Sequence, residues 1–391
     1  MRSILFCNEM LGLGHLRLSL ALADALVAED EHSSALVVTG SPAFGGISIP
    51  RRVDILKLPT LPVGTHSRWS STALKPPSGL AIGEDQVRAL RTELSLAAVR
   101  EFRPDVVVVD YRPLGRGGEL RPALEWLRAD GGCTIALGLW EVDDAPEQLR
   151  REWPQDLLAA VRELFDLALV YGHPSPGDVR VDGLHGVGVS VHHTALVAAP
   201  MAERGAADLE DGYLLAMTGG GADGFALLDA VLGAIALRPL GIPAVVVTGP
   251  MMAADDVAAL GRRAVGLDVQ LQHFRPDMDA VLAGARAVVS MAGYCTVAEV
   301  LGSGKPALLV PRTFPREEQL ARARRWAAAG RVAMLDPREL EPPLLREAIG
   351  LLLERPAAVR EPLTGAGDAA RVLTAAVGRR LPSRPHAEGR A

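Results

Sequence analysis

Two glycine-rich turns follow apolar, strand-like runs, and both have the composition that brings main chain close to an oxyanion. EMLGLGHLR (Glu9 to Arg17) follows SILFCN, and TGGGADG (Thr218 to Gly224) follows the run that ends at Met217. Lacking a Cβ, glycine lets backbone approach phosphate or sugar, and the helix after the turn adds its positive end. Gly219, Gly220 and Gly221 are the contacts expected from the second turn. A third turn, in SMAGYCTVAEV, puts Gly293 ahead of a helix read from about Thr296, whose free N–H groups again suit phosphate. Glu299 lies one turn inside that helix, within reach of sugar hydroxyls beside the phosphate; the bland alternative is a surface helix acid.

Transfer of a group from a bound phosphate ester would also need something to take a proton. His15 ends the first glycine turn and opens a helix, and imidazole suits a general base near neutral pH, with capping or polar packing as its structural alternative. Asp110 ends DVVVVD, where its carboxylate can orient His15, hold an acceptor, serve as the base itself, or cap the next turn. The sequence leaves the base as either His15 or Asp110. Gly14, Arg112 and Glu141 fall at the same edge and are expected as acceptor contacts. His192 and His193 show no metal-ligand spacing and no metal-bridging DxD stands out, so neither a metal nor a cofactor is expected.

The elements that must hold these groups read as parallel α/β structure, short Val/Leu/Ile runs alternating with longer helical patterns. In the first half the strands begin at Ser3, Ala35, Val53, Asp105, Cys133 and Leu167, with helices over Leu16 to Ala28, Glu84 to Arg100 and Pro146 to Phe165. The series restarts at Tyr213 and continues from Ala244, Leu267, Ala287 and Ala307. The expected architecture is two doubly wound, Rossmann-like domains facing a cleft. Residues 1–180 form the first, 181–211 connect, 212–380 form the second, and 381–391 are expected to be disordered. The Pro-, Ser- and Gly-rich stretch from Leu58 to Ile82 is too long for a simple connection and reads as a working loop.

Composition removes several classes. The chain has 391 residues, 49% of them hydrophobic and 23% charged, with a net charge of -6. No basic excess exists to displace counterions, which argues against nucleic acid as a partner. Cys7, Cys133 and Cys295 are separate and flanked by apolar or glycine-rich sequence, so a zinc site or disulfide framework is not expected and a reducing cytoplasm fits. Neither a signal peptide nor an integral membrane segment is read. A dinucleotide site competes for the first turn, but GLGHLR lacks the third glycine and VVTGSP lacks the ribose-binding acid.

TGGGADG and the run LQHFRPDMDAVLAGARAVVSMAGYCTVAEVLGSGKPALLVP resemble the donor half of GT-B nucleotide-sugar glycosyltransferases, those related to the lipid I N-acetylglucosaminyltransferase of peptidoglycan synthesis. PREEQLARA, PLGRGGELRPALEWL and LALVYGHPSPGD are closer to a poorly characterised branch of these enzymes. The resemblance implies an inverting transferase with a UDP-sugar as co-substrate and no metal. It places uracil against the main chain near Phe274, the pyrophosphate at the helix start (Gly293, Thr296, Val297), the ribose on Glu299 and the donor sugar near Gln319. Glu318 stands where the lipid I enzyme has Gln, and Trp140 and Glu141 stand where the branch tends to have Arg-Asp.

The expected acceptor is a small molecule, in keeping with an arginine- and alanine-rich, natural-product type of chain. The sharpest version is glucuronyl transfer to a nucleobase such as cytosine, with Arg312 or Arg316 meeting the donor carboxylate. A UDP-sugar 2-epimerase and a non-catalytic nucleotide-sugar-binding subunit are the competing expectations. A homodimer is left open.

Overall fold

The computed structural model describes residues 1–7, 13–41, 45–61, 80–141, 145–175, 177–314 and 316–380. Most of the working loop expected over Leu58 to Ile82, the first part of the Glu9–Arg17 turn and the tail 381–391 lie outside them.

The N-terminal domain opens with β1 (Arg2–Cys7), α1 (Gly14–Ala28), β2 (Ser34–Thr39) and β3 (Val53–Lys57). It continues through α2 (Glu84–Phe102), β4 (Val106–Asp110), α3 (Arg121–Asp130) and β5 (Thr134–Trp140). It closes with α4 (Pro146–Glu152), α5 (Gln155–Leu164), β6 (Leu167–Tyr171), α6 (Val179–Gly186) and β7 (Ser190–Thr194). The seven strands are parallel in the order β3-β2-β1-β4-β5-β6-β7. Helices cover both faces, so a central strand such as β4 (VVVVD) is buried along its whole length, as a parallel strand with no wet face must be.

The sheet reaches Thr194, so its last strand falls inside the stretch expected as a connection. Among the described residues SVHHT pairs only with β6, and it is half-exposed at the sheet edge, which dilutes its apolar signal. The single helix expected over Pro146 to Phe165 is two helices. Trp153 ends the first, and Pro154, which has no N–H to donate and disfavours helical backbone at the residue before it, caps the second.

The C-terminal domain runs β8 (Leu214–Met217), α7 (Phe225–Leu237), β9 (Ala244–Val247), α8 (Ala254–Ala264) and β10 (Val269–Gln272). There follow α9 (Met278–Gly284), β11 (Ala287–Ser290), α10 (Tyr294–Ser303), β12 (Ala307–Leu309), α11 (Glu318–Ala328) and β13 (Ala333–Met334). After α12 (Pro342–Glu354), α13 (Gly365–Arg380) crosses back to pack on α1. The Gly365 amide donates to Leu196 O at 3.1 Å and Asp368 accepts from the Ala195 amide at 3.1 Å, tying the chain between the domains to this returning helix. The second sheet is parallel in the order β10-β9-β8-β11-β12-β13.

In both sheets the order reverses beside the first strand, between β1 and β4 and between β8 and β11. A reversal sends successive helices to opposite faces and opens a crevice at the strands' carboxyl ends, where ligands bind in doubly wound folds. The candidate residues that follow β1, β4, β8 and β11 lie at these carboxyl ends. Among the described residues, no helix is long and apolar enough to cross a membrane.

Candidate active site

The two crevices open on one cavity of about 370 Å³, lined from both domains. On the C-terminal side its wall is main chain. Gly219 and Gly221 have φ of 68° and 93°, and Gly249, after β9, has φ of 88°. A side chain on Gly221 would overlap Thr248 O, and one on Gly249 would lie 2.7 Å from the carbonyl carbon of Gly220. The two turns therefore interlock, helped by Thr218 Oγ1 donating to Thr248 O at 2.7 Å and the Met251 amide donating to Gly220 O at 2.8 Å. Gly249 was missed in the sequence because a lone glycine in TGP carries no motif.

Helix α10 starts at Tyr294, two residues before the expected start, behind an extended Gly293. Val297 spends its amide on Gly293 O at 2.9 Å and buries its side chain, so the donors left for an anion are those of residues 294–296 rather than Val297. The Thr296 hydroxyl lies close against Gly219; a Cβ there would be 3.3 Å away. Phe274 lines the cavity and packs on Gly46 of the other domain.

Deeper in, Glu299 is almost buried and bound by a guanidinium of the opposite domain, Arg17 NH2 to Glu299 Oε1 at 2.8 Å. Burial pushes the Glu299 carboxyl up from its ordinary range, and Arg17 opposes the shift. Gln319 accepts the Ala292 amide at 3.1 Å on Oε1, which fixes the side-chain amide so that its NH₂ group is what it offers the cavity. Arg312 is clamped by two carboxylates, Glu318 at 2.6 Å and Asp223 of the glycine turn at 2.9 Å. Burial alone would raise Glu318, but the pull of Arg312 outweighs it and holds the carboxyl below its ordinary range. Among the described residues, Glu318 Oε2 is buried with no hydrogen-bond partner.

On the N-terminal side the lining is Leu13, Gly14, Arg17, Ile47 and Trp140, and His15 and Asp110 lie beside Trp140 rather than in the lining. His15 Nδ1 contacts Asp110 Oδ2 directly, bringing together the two candidates for the base. The residue after Asp110, Tyr111, is held at φ 64° while the Arg112 amide donates to Asp110 O at 2.8 Å, a tight turn that fixes where the Asp110 carboxylate points. Left-handed backbone on a bulky residue costs energy and is concentrated at functional sites. The His15 ring stacks on Trp140 at 4.2 Å, and Trp140 stacks in turn on Tyr294 of α10 at 5.6 Å. Trp140, noted in the sequence only as a departure, thus joins the base candidate to the first turn of α10.

The remaining candidates sit around this stack. Gly14 lines the cavity and its carbonyl accepts from Cys295 Sγ at 3.1 Å. Arg112 lies over the Tyr111 ring at 5.8 Å. Glu141 is below the cavity surface, 1% exposed, and accepts from Arg322 Nε at 3.2 Å; Arg322 is equally buried and comes from α11 of the other domain. Arg316 pairs with Glu152 and donates to Tyr111 Oη, outside the cavity lining. Among the described residues, no group of His, Cys, Asp and Glu side chains comes together that could hold a metal.

Two facing doubly wound domains with a shared cavity between their switch points define the GT-B class. MurG of Acinetobacter baumannii superposes with a TM-score of 0.55 at 15% identity, covering 96% of this chain and 99% of that one. The UDP-GlcNAc 2-epimerase of Methanocaldococcus jannaschii does so with a TM-score of 0.58 at 10% identity, covering 96% and 100%.

Sequence is more selective than fold. Residues 214–370 match the glycosyltransferase family 28 C-terminal domain. The UDP-N-acetylglucosamine–N-acetylmuramyl-(pentapeptide) pyrophosphoryl-undecaprenol N-acetylglucosamine transferase of Thiobacillus denitrificans is 31% identical over 68% of this chain and 70% of its own. The protein of that description from Mesorhizobium japonicum is 34% identical over 42% of this chain, but the match spans only 46% of that relative, about half its length. The chain belongs to glycosyltransferase family 28.

Proposed function

We propose that this chain transfers a neutral glycosyl group from a UDP-sugar to a nucleophile held beside His15, with inversion. The observation that carries this reading is one cavity lined by the backbone donors of the C-terminal switch point and by Trp140, on which the Asp110-held His15 ring stacks. With Nδ1 held by Asp110, the proposed role of Nε2 is to accept the acceptor's proton. The acceptor oxygen or nitrogen bonds to the anomeric carbon as its proton passes to Nε2. The bond from that carbon to the diphosphate breaks, and UDP leaves with the electron pair. The α10 amides and the Gly219–Gly221 turn take up the charge that develops on the diphosphate.

The donor is neutral because the cations expected to meet a uronate are engaged. Arg312 is shared by Asp223 and Glu318, and Arg316 is committed to Glu152. A sugar carboxylate would instead confront the ionised Glu318, whereas a sugar hydroxyl would give its unpartnered Oε2 a donor. Three buried cysteines, scattered along the sequence, suit a reducing, cytoplasmic setting. For the acceptor, the names of the relatives favour a polyprenyl-pyrophosphoryl saccharide. A small planar acceptor such as a nucleobase rests only on the aromatic wall of Trp140 and Tyr111.

Calorimetry with UDP, UDP-glucose, UDP-N-acetylglucosamine and UDP-glucuronate tests the donor, and UDP release with each class of acceptor tests the transfer. Tight UDP binding with UDP-glucuronate the weakest of the sugars is expected. Conversion of UDP-N-acetylglucosamine with no acceptor present would replace this reading with epimerisation, and binding of none of the four would end it.

A further inference from the structure

The Arg17–Glu299 pair crosses the cleft. Arg17 is on the first turn of α1 in the N-terminal domain, and Glu299 is on α10 in the C-terminal domain, 282 residues later. The guanidinium spans both carboxylate oxygens, NH2 at 2.8 Å from Oε1 and NH1 at 3.5 Å from Oε2. Both residues line the cavity. Glu299 is 7% exposed, a depth at which a lone carboxylate resists ionisation. A carboxylate has roughly four lone-pair positions, so a fork that takes one on each oxygen leaves room for two hydroxyl donors.

We propose that Arg17 is a positioning residue for nucleotide recognition: it keeps Glu299 ionised and oriented toward the ribose, so the donor is gripped fully only when the N-terminal domain meets the C-terminal one. The inference rests on the UDP-sugar reading and adds to it the residue that makes donor recognition a property of both domains. A neutral acid would accept one hydroxyl poorly and offer its own proton in competition. An ionised, oriented carboxylate accepts both hydroxyls of a vicinal diol. Among the described residues, the other groups acting on Glu299 are Asp279 of α9, which favours its protonation, and the Cys295 thiol on its own helix, and Arg17 is the cation that opposes burial.

The test compares calorimetric binding of UDP and 2′-deoxy-UDP, with inorganic pyrophosphate as a probe of the phosphate site alone. Wild type is expected to prefer UDP about tenfold, as the loss of a hydrogen bond to a charged group implies. In Arg17→Gln that preference should collapse to about twofold or less while pyrophosphate binding is unchanged, and Arg17→Lys, which keeps the charge but not the fork, should restore part of it. Mildly acidic pH should erode the preference earlier in Arg17→Gln than in wild type, because Glu299 without its cation holds a proton more readily. A wild-type preference retained by Arg17→Gln overturns the inference, as does a loss of pyrophosphate binding, which would place Arg17 on the diphosphate. Equal binding of UDP and 2′-deoxy-UDP by the wild type would overturn the ribose role of Glu299 itself, a failure that appears before any variant is made.

Discussion

The two switch points solve the same topological problem with different materials. After β8 and β11 the chain presents backbone: Gly219, Gly221 and Gly249 interlock, and α10 contributes its first amides. After β1, β4 and β5 it presents side chains: His15, Asp110, Tyr111 and Trp140 stack and pair. Backbone donors suit a group common to every nucleotide sugar, and they tolerate no insertion of a Cβ. Side chains suit whatever must change with the acceptor. The contrast predicts that the halves can be broken separately. His15→Gln should lower kcat by about 10²–10⁴-fold, the range of general base catalysis, while UDP affinity from calorimetry stays at the wild-type value. A parallel loss of UDP affinity would mean that His15 belongs to donor binding and that the division is false.

What joins the halves is as informative as what separates them. Arg322 and Glu141 are each 1% exposed and come from opposite domains, with Arg322 also lying 5.8 Å over Trp140 and 5.7 Å over Tyr294. Removing one partner strands a buried charge, so Arg322→Met should cost about 3–5 kcal/mol in denaturant unfolding, and adding Glu141→Leu should recover most of it. Cys295 supplies a local reporter of the same event. Burial first, and then Glu299, push its thiol up to about 12, so alkylation at neutral pH should be slow in wild type and faster in Arg322→Met as the domains part. Unchanged alkylation would show that the stacked rings hold the cleft without the ion pair.

Gly249→Ala sharpens the other side of the comparison. At φ 88°, and with its new methyl against Gly219 O and Gly220, the substitution should cost about 1–3 kcal/mol and weaken UDP, while the pH dependence of kcat, set on the N-terminal side, keeps its shape. A shifted pH profile would show that the turn also sets the position of His15.

The sequence exposed what is local and hid what is long-range. The glycine turns, His15 and Asp110 were readable because each follows its own apolar strand, and a doubly wound order places such positions at the crevice whatever the rest of the chain does. The pairs Glu141–Arg322 and Arg17–Glu299 were not, because 181 and 282 residues separate the partners and nothing in either neighbourhood signals the other. Arg312 read as a spare cation because Asp223, which binds it, sits in a different motif. Tyr111 gave no sign of its left-handed backbone, since that strain is imposed by the packing around Asp110 and not by residue type. Local placement was legible; the contacts that couple the domains required the fold.

The smallest expected effect probes that coupling through pH. In the folded protein the Glu299 carboxyl is raised by burial, so ionising it costs stability as pH rises through its unfolded pKa, and Arg17 offsets part of that cost. Taking Arg17 away raises the carboxyl further. At neutral pH, Arg17→Gln should therefore be less stable than wild type by about 1 kcal/mol, a modest figure because the guanidinium is 30% exposed and partly screened. The sign of the pH dependence separates this account from a packing defect. As pH falls and Glu299 takes up its proton in both proteins, the cation has nothing left to offset and the deficit should shrink toward zero. A packing defect would keep its size at every pH, since the lost contacts of the Arg17 stem do not titrate. Denaturant midpoints of the two proteins across the carboxylate range would decide it: a constant gap would mean that Arg17 is a spacer between domains, and a closing gap would mean that the N-terminal domain holds the charge of the donor site's own carboxylate.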